Sequence, residues 1–483
     1  MTPTSSVKQI LVNIGWTYGA QLLTIIAQVL YAAVTTRLVS ADEFGAYAVA
    51  LAASGFVQLM AMGGLGQAVG RMERLHVSRL ASLFSYSWIL GVLGAVSIFF
   101  GAPAWAHLWS SPAAVDAIRL ASISALVAPA FGLVSGLVRR LGKYRQFAAT
   151  TVLSNLLGML VGLLAVVLLN DSVGLMVSVI LGQCLGLIFC LVLCERMIGK
   201  LGSLGGARTD ITYSWNLTGT NLVSYFIANA TKISVTRFAG AAVLGQWNRA
   251  EVLTTVPFQQ IQNSIIQVLY PEFRHVKDSP SAARSVWTDL LVLCAFLVLP
   301  FASICSAVLP LVLPMLFGAG WTTASRLTMV LAYVGALQLL SSVLGGAIES
   351  LGRFKWMWSN GAVIAALQVV AVTVIALGGG LESAMVFLII TSILRHLIQV
   401  VQCVKGGYLA AIPIVFGYST AIFAAAMVWV LFYVLLRPSL ILSAPTWALV
   451  SAGLWFFGVA LLTIYSWRSM PVAVILRRYR NRK

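Results

Sequence analysis

Residues 213–271 read YSWNLTGTNLVSYFIANATKISVTRFAGAAVLGQWNRAEVLTTVPFQQIQNSIIQVLYP, a stretch long enough for two membrane helices yet unusually polar. On both sides the chain is almost uninterrupted Leu, Val, Ala, Ile and Gly. At helical spacing Ser214, Thr218, Asn221, Tyr225 and Lys232 share one face. On the next helix Arg249, Val256, Gln260, Asn263 and Gln267 form a face, and Glu251, Thr255, Gln259 and Gln262 a second. Hydrocarbon cannot solvate such faces, so they must turn toward protein or a water-filled cavity. A polar helix pair in the middle of an apolar chain is the expected wall of a transport path.

Composition sets the class. The 483 residues are 60% hydrophobic and 9% charged, against about 25% charged in a soluble domain. The expected fold is all-α, a polytopic membrane protein. Ten-residue stretches of alternating hydrophobicity, the barrel pattern, are absent. The first apolar run is too long for a signal peptide and lacks a small-residue cleavage site, so it reads as a retained helix. The net charge of +18 does not point to nucleic acid, because the basic residues lie in short clusters between apolar runs. The six cysteines sit in or beside apolar runs without a CxxC pair and read as small buried hydrophobes. The four histidines show no metal-ligand spacing, so neither a metal nor a cofactor is expected.

About fourteen spans, each of roughly twenty apolar residues, can be placed. They lie near 10–36, 44–68, 80–101, 114–138, 148–169, 173–194, 213–236, 244–270, 287–309, 323–348, 357–377, 382–403, 411–435 and 446–467. Alternate loops then differ in charge. One set carries Lys8; Arg71, Arg74 and Arg79; Arg139, Arg140, Lys143 and Arg145; Arg196, Lys200 and Arg208; Arg274, Lys277 and Arg284; Arg353 and Lys355; Lys405; and the tail from Arg468 to Lys483. The other carries only Arg37, Arg237, Arg249, Arg326 and Arg437. This bias places both termini in the cytoplasm.

The chain also repeats. Thr36-Arg37-Leu38 with Gly45 and Tyr47 returns as Thr236-Arg237-Phe238 with Gly245 and Trp247, each number raised by 200. Leu141-Gly142-Lys143-Tyr144-Arg145 returns as Leu351-Gly352-Arg353-Phe354-Lys355. Two parallel six-helix repeats around a central cavity are therefore expected, an N-terminal half over 1–205 and a C-terminal half over 206–405. Residues 406–483 are left for an extra helix pair and a basic cytoplasmic tail. GxxxG spacing at Gly15/Gly19, Gly66/Gly70, Gly158/Gly162 and Gly182/Gly186 marks close helix packing.

Each candidate site residue has a plainer reading beside it. Lys232, about a turn from the end of its span, could snorkel to the interface; its alignment with Asn221 and Tyr225 favours a cationic ligand facing the cavity. Arg395-His396 lies deep in span 12, where snorkelling is harder, which favours a pairing or cavity role. Arg37 and Arg237 close symmetric ends of spans 1 and 7, as anchors or as substrate contacts. Arg249, Gln259, Gln260 and Asn263 line the second polar helix. Among the acids only Glu251, Asp289 and Glu349 come near a span, each close to an end. No carboxylate pair stands at the midplane for an ion relay. There is no phosphate-binding loop and no catalytic triad, so no enzyme activity is expected.

The chain resembles the polysaccharide transport family of oligosaccharide flippases, within the multidrug/oligosaccharidyl-lipid/polysaccharide flippase superfamily. The resembling words are Thr36-Arg37-Leu38 with Glu43-Phe44-Gly45-Ala46-Tyr47, Gly64-Leu65-Gly66-Gln67-Ala68, Arg145-Gln146-Phe147, Val268-Leu269-Tyr270-Pro271, and Leu316-Phe317-Gly318 with Trp321. The resemblance implies transport of an undecaprenyl-diphosphate-linked oligosaccharide repeat unit across the bacterial inner membrane. It also implies membrane lipids around the protein, with a polysaccharide polymerase and glycosyltransferases as partners. It brings no list of functional residues. Two alternatives stay open: a multidrug or cation antiporter on the same fold, and a non-transporting component of a polysaccharide assembly complex.

Overall fold

A computed structural model of the chain describes residues 7–62, 77–194, 229–262, 280–351 and 353–436, with isolated positions between them. Every regular element among them is helical, the outcome required where hydrocarbon offers the backbone no hydrogen bonds. The helices are α1 (Val7–Leu38), α2 (Ala41–Met62), α3 (Val77–Leu108), α4 (Val115–Arg140), α5 (Tyr144–Leu169), α6 (Ser172–Leu193), α7 (Ala241–Leu253), α8 (Pro280–Phe317), α9 (Thr322–Ser350), α10 (Phe354–Val374), α11 (Gly380–Lys405) and α12 (Ala411–Leu435). Residues 229–239 and 255–262 are helical as well. Among the described residues eight helical runs are long and apolar enough to cross a membrane. One of them, Lys355–Lys405, has 51 residues, far beyond the ~20 that span a bilayer. It folds back at Gly378 (φ 101°) and Gly380 (φ 59°), left-handed positions that glycine adopts without strain. Gln402 then donates to the Ser359 hydroxyl at 2.9 Å, which closes α10 and α11 into a hairpin. The fourteenth expected span and most of the seventh lie outside the described residues.

The eighth expected span, 244–270, is not one uninterrupted helix. It divides at a turn on Thr254 between α7 and the stretch 255–262. Pro257 explains the break: it has no N–H for the carbonyl of Leu253, and its ring crowds that carbonyl. Asn263 and Gln267 of the expected faces lie outside the described residues.

The described chain gathers into two compact units. The first holds residues 1–249, 316–323 and 368–384, and the second 250–315, 324–367 and 385–483. In the first, α4 is the central helix: 83% of its apolar window is buried, against 22% for α5. Small residues set the contacts, since lipid gives apolar side chains no drive to leave it and backbones must meet closely to gain dispersion energy. A Cβ on Gly158 would stand 2.6 Å from the Ser178 carbonyl oxygen, and one on Gly162 would overlap Ser178, so this GxxxG pair seats α5 on α6. Gly19 behaves differently, with nothing within 4 Å of its Cβ position. Lys143 donates to the carbonyl of Leu193, the last residue of α6, at 2.9 Å. A cation there satisfies a carbonyl the helix leaves unpaired.

In the second unit α8 packs with α9 and α12 around Trp287, Leu291, Leu339, Val343, Ile414 and Ala421. Trp287 stacks on Tyr408 at 5.4 Å. Arg353 lies over the rings of Trp356 (4.6 Å) and Tyr408 (5.5 Å). Arg353, which matches Lys143 in the repeated word, thus packs on a ring of α10 and on a ring just beyond the end of α11. The six cysteines form no disulfide.

Candidate functional site

The first unit brings the Arg37 end of α1, the start of α2, α7 and residues 316–323 together. Gly45 lies against the backbone of Ala241, and Gly245 against the backbone of Ala41 and Gly45. A Cβ on Gly245 would stand 2.8 Å from the Gly45 amide nitrogen. The contact is reciprocal: each glycine meets the residue whose number is 200 from the other's partner. The Trp321 indole N–H donates to the Thr36 carbonyl at 3.2 Å, and its ring meets Phe44 edge-on at 5.4 Å.

Arg249 is buried inside this junction, 6% exposed. Its guanidinium carbon sits 4.3 Å over the Phe44 ring, and Nη2 donates to the Asn248 side-chain oxygen at 2.7 Å. Nε finds no hydrogen-bond partner among the described residues. Tyr31 and Tyr47 are both within electrostatic reach of the guanidinium. A ring face and one neutral amide compensate a buried cation poorly, because an unpaired charged donor keeps its desolvation cost. The arrangement can hold an anion.

Deeper along α2, the Tyr225 hydroxyl donates to the Ala52 carbonyl. Its ring lies 5.6 Å from Phe56, which lies 5.3 Å from Trp105. Phe44 and Phe56 are twelve residues apart, so Arg249 and Tyr225 mark points about 18 Å apart along α2. On the opposite side of α2, Gln58 donates to Ser54 (2.8 Å) and Ser124 (2.9 Å), and Ser124 donates to Gln183. This chain of neutral polar groups joins α2, α4 and α6 without a carboxylate. Lys232 is half-buried, one residue after Thr231, whose hydroxyl accepts from Gln368. Arg37 and Arg237 are both exposed.

In the second unit Arg395 is exposed. The lipid-facing stripe of α11 is Val386, Ile390, Ile393, Leu397 and Val401; at 100° per residue Arg395 falls on the opposite side of the helix. Gln259 is exposed and Gln260 half-buried on 255–262. Asn221, like Asn263, lies outside the described residues. The expected site residues are therefore not one cluster. Arg249, Tyr225 and Lys232 belong to the first unit, and Gln259, Gln260 and Arg395 to the second. Sequence reading missed Phe44, Phe56 and Trp105, which hold Arg249 and Tyr225 in place, and missed the Gln58–Ser124–Gln183 chain. The Ser54/Gln58 spacing of four was a legible signal. Among the described residues no group of His, Cys, Asp and Glu could hold a metal.

A multi-pass helical membrane chain whose interior carries cations and amides has the architecture of a membrane transporter. Solved structures share that fold. A lipid II flippase MurJ in an inward closed conformation superposes with a TM-score of 0.67 at 11% identity, over 89% of this chain and 100% of that one. An inward-facing multidrug resistance MATE family transporter follows at 0.52 and 15%, over 83% and 98%. The chain belongs to the polysaccharide biosynthesis protein family, whose model matches residues 34–326. Its relatives include the succinoglycan biosynthesis transport protein ExoT of Rhizobium meliloti, 23% identical over 81% of this chain and 79% of that protein. The teichuronic acid biosynthesis protein TuaB of Bacillus subtilis is 24% identical over 74% and 75%. The lipopolysaccharide biosynthesis protein WzxC of Escherichia coli is 20% identical over 70% and 69%.

Proposed function

We propose that this protein is a flippase that moves a lipid-linked oligosaccharide repeat unit, carried on undecaprenyl diphosphate, across the bacterial inner membrane for polysaccharide biosynthesis. Sugar and diphosphate cannot enter hydrocarbon unaided. The observation that carries the reading is Arg249, a buried guanidinium with an unpaired Nε and with the Tyr47 and Tyr31 hydroxyls within electrostatic reach. Such a group suits the diphosphate, while Tyr225, Phe56 and Trp105 offer rings for sugar. Lys232, Arg395, Arg37 and Arg237 supply further cations along the path, and Gln259, Gln260, Asn221 and Asn263 supply amides for glycan hydroxyls. A drug or cation antiporter would need a carboxylate at depth, and the sequence places every acid near an end or in a loop.

The path works by alternating access between the halves 1–205 and 206–405, with 406–483 as an added pair. Reciprocal contacts of Gly45 with Ala241 and Gly245 with Ala41 support a two-fold relation of the halves about the membrane normal. With both termini cytoplasmic, that junction lies on the periplasmic side, and the Trp321–Thr36 hydrogen bond fastens it. Delivery to a polymerase outside and supply by glycosyltransferases inside complete the route.

The test replaces Arg249 with Ala and with Lys and follows lipid-linked oligosaccharide on the cytoplasmic face, at measured protein abundance. A charge-assisted hydrogen bond is worth about 1.5–3 kcal/mol, so Arg249→Ala should slow export roughly ten- to a hundredfold, and Arg249→Lys should recover part of it. Normal export by Arg249→Ala at parental abundance would remove the guanidinium from the path.

A further inference from the structure

Deep in the second unit, His396 of α11 is 3% exposed. Its Nε2 lies 2.7 Å from the Tyr418 hydroxyl of α12, and the two rings stack at 5.6 Å. Its Nδ1 lies 3.5 Å from the Ser341 hydroxyl of α9. The three residues are at one level. His396 and Ser341 each stand nine residues before the ends of their helices and Tyr418 seven after the start of α12, which is about 10–14 Å from the ends carrying Lys405, Ser350 and Ala411. That depth is inside the hydrocarbon core of roughly 30 Å.

Among the described residues no carboxylate stands around the ring at that level. The groups on the packed helices are Tyr418 on α12, Ser341 on α9, Cys294 on α8 within electrostatic reach of Tyr418, and Arg395 on α11 itself. The acids of these helices are Asp289, five residues before Cys294 on α8, Glu349, eight residues beyond Ser341 on α9, and Glu382 near the far end of α11. Imidazole is the side chain whose ordinary titration falls between pH 5 and 8. Among the described residues His396 is the histidine at depth; His76 and His107 stand at helix ends. The neighbouring Arg395 opens on the face of α11 away from the lipid stripe, where hydrocarbon cannot solvate it and water must reach.

We propose that His396 is a proton-binding site that couples transport to a proton gradient. In the neutral ring one nitrogen donates and the other accepts, so one of the two hydroxyls donates to it. One added proton makes both nitrogens donors. The hydroxyl that donated must turn its oxygen to the ring, and its own hydrogen must find another acceptor. No covalent bond to carbon forms or breaks; a proton is taken up and one hydrogen bond reverses direction. In the sealed arrangement an imidazolium would lack solvent, so proton binding favours the arrangement in which α11 and α12 admit water to the ring.

The coupling to transport rests on the flippase reading; the proton site does not. The full-length protein in nanodiscs, labelled with nitrogen-15 in its histidines, is titrated from pH 5 to 8 by NMR, with His396→Gln assigning the signal. The expected result is a titrating His396 whose midpoint moves in Tyr418→Phe, a variant that loses only the hydroxyl. A ring that stays neutral over the whole range overturns the site. In cells the parent's export should change roughly five- to tenfold per unit of imposed pH gradient, and both variants should flatten that dependence at normal abundance. An unchanged gradient dependence in both overturns the coupling. Export unaffected by removal of the whole chain would refute the flippase reading while leaving the NMR result standing.

Discussion

Gly245→Val should open the junction at the Arg37 end of the first unit. The glycine sits against the Ala41 carbonyl, with the Gly45 amide nitrogen 2.8 Å from its Cβ position. These are backbone atoms, so no rotamer change can relieve a side chain placed there. Overpacking of this kind costs about 1–3 kcal/mol. A cost of about 2 kcal/mol borne by the closed arrangement alone raises the open population roughly thirtyfold. Ala48, one turn beyond Phe44 on α2 and buried, reports on it. Ala48→Cys in the parent should react slowly with an impermeant maleimide added outside, and roughly ten- to thirtyfold faster with Gly245→Val. Gly19→Val is the control, because its Cβ position meets nothing within 4 Å. Unchanged labelling in Gly245→Val, with normal protein abundance, would refute the view that the glycine crossing seals the path.

Trp321→Phe keeps a ring near Phe44 but removes the N–H to the Thr36 carbonyl; losing a bond of about 0.5–1.5 kcal/mol should raise the same labelling roughly two- to tenfold, and no change would show that the bond does not fasten the junction. Pro112→Cys should be labelled in intact cells freed of their outer barrier, as a periplasmic loop requires; labelling only after the inner membrane is broken would invert the topology.

Some of this protein could be read directly from residue order. The helix limits follow from a simple constraint: hydrocarbon of fixed thickness demands runs of apolar residues, so α4 over Val115–Arg140 and α12 over Ala411–Leu435 fall where hydropathy places them. Gly158 and Gly162 announced a close crossing, and the period of α11 already set Arg395 opposite its apolar stripe. The break at Thr254 was missed, although Pro257 was visible, because hydropathy averages over the turn that a single missing N–H disrupts.

What sequence could not decide is which cations are buried. Arg37, Arg237 and Arg249 are alike in charge and in closeness to helix ends. Only the packing of α2 against α7 leaves the first two exposed and encloses the third over Phe44. His396 likewise carries no mark of its partners; Ser341 and Tyr418 reach it from two other helices. Periodicity fixes the side of a helix on which a residue stands, because that is local geometry. Burial and hydrogen bonding depend on which distant helix covers that side, so they were settled only when the helices packed.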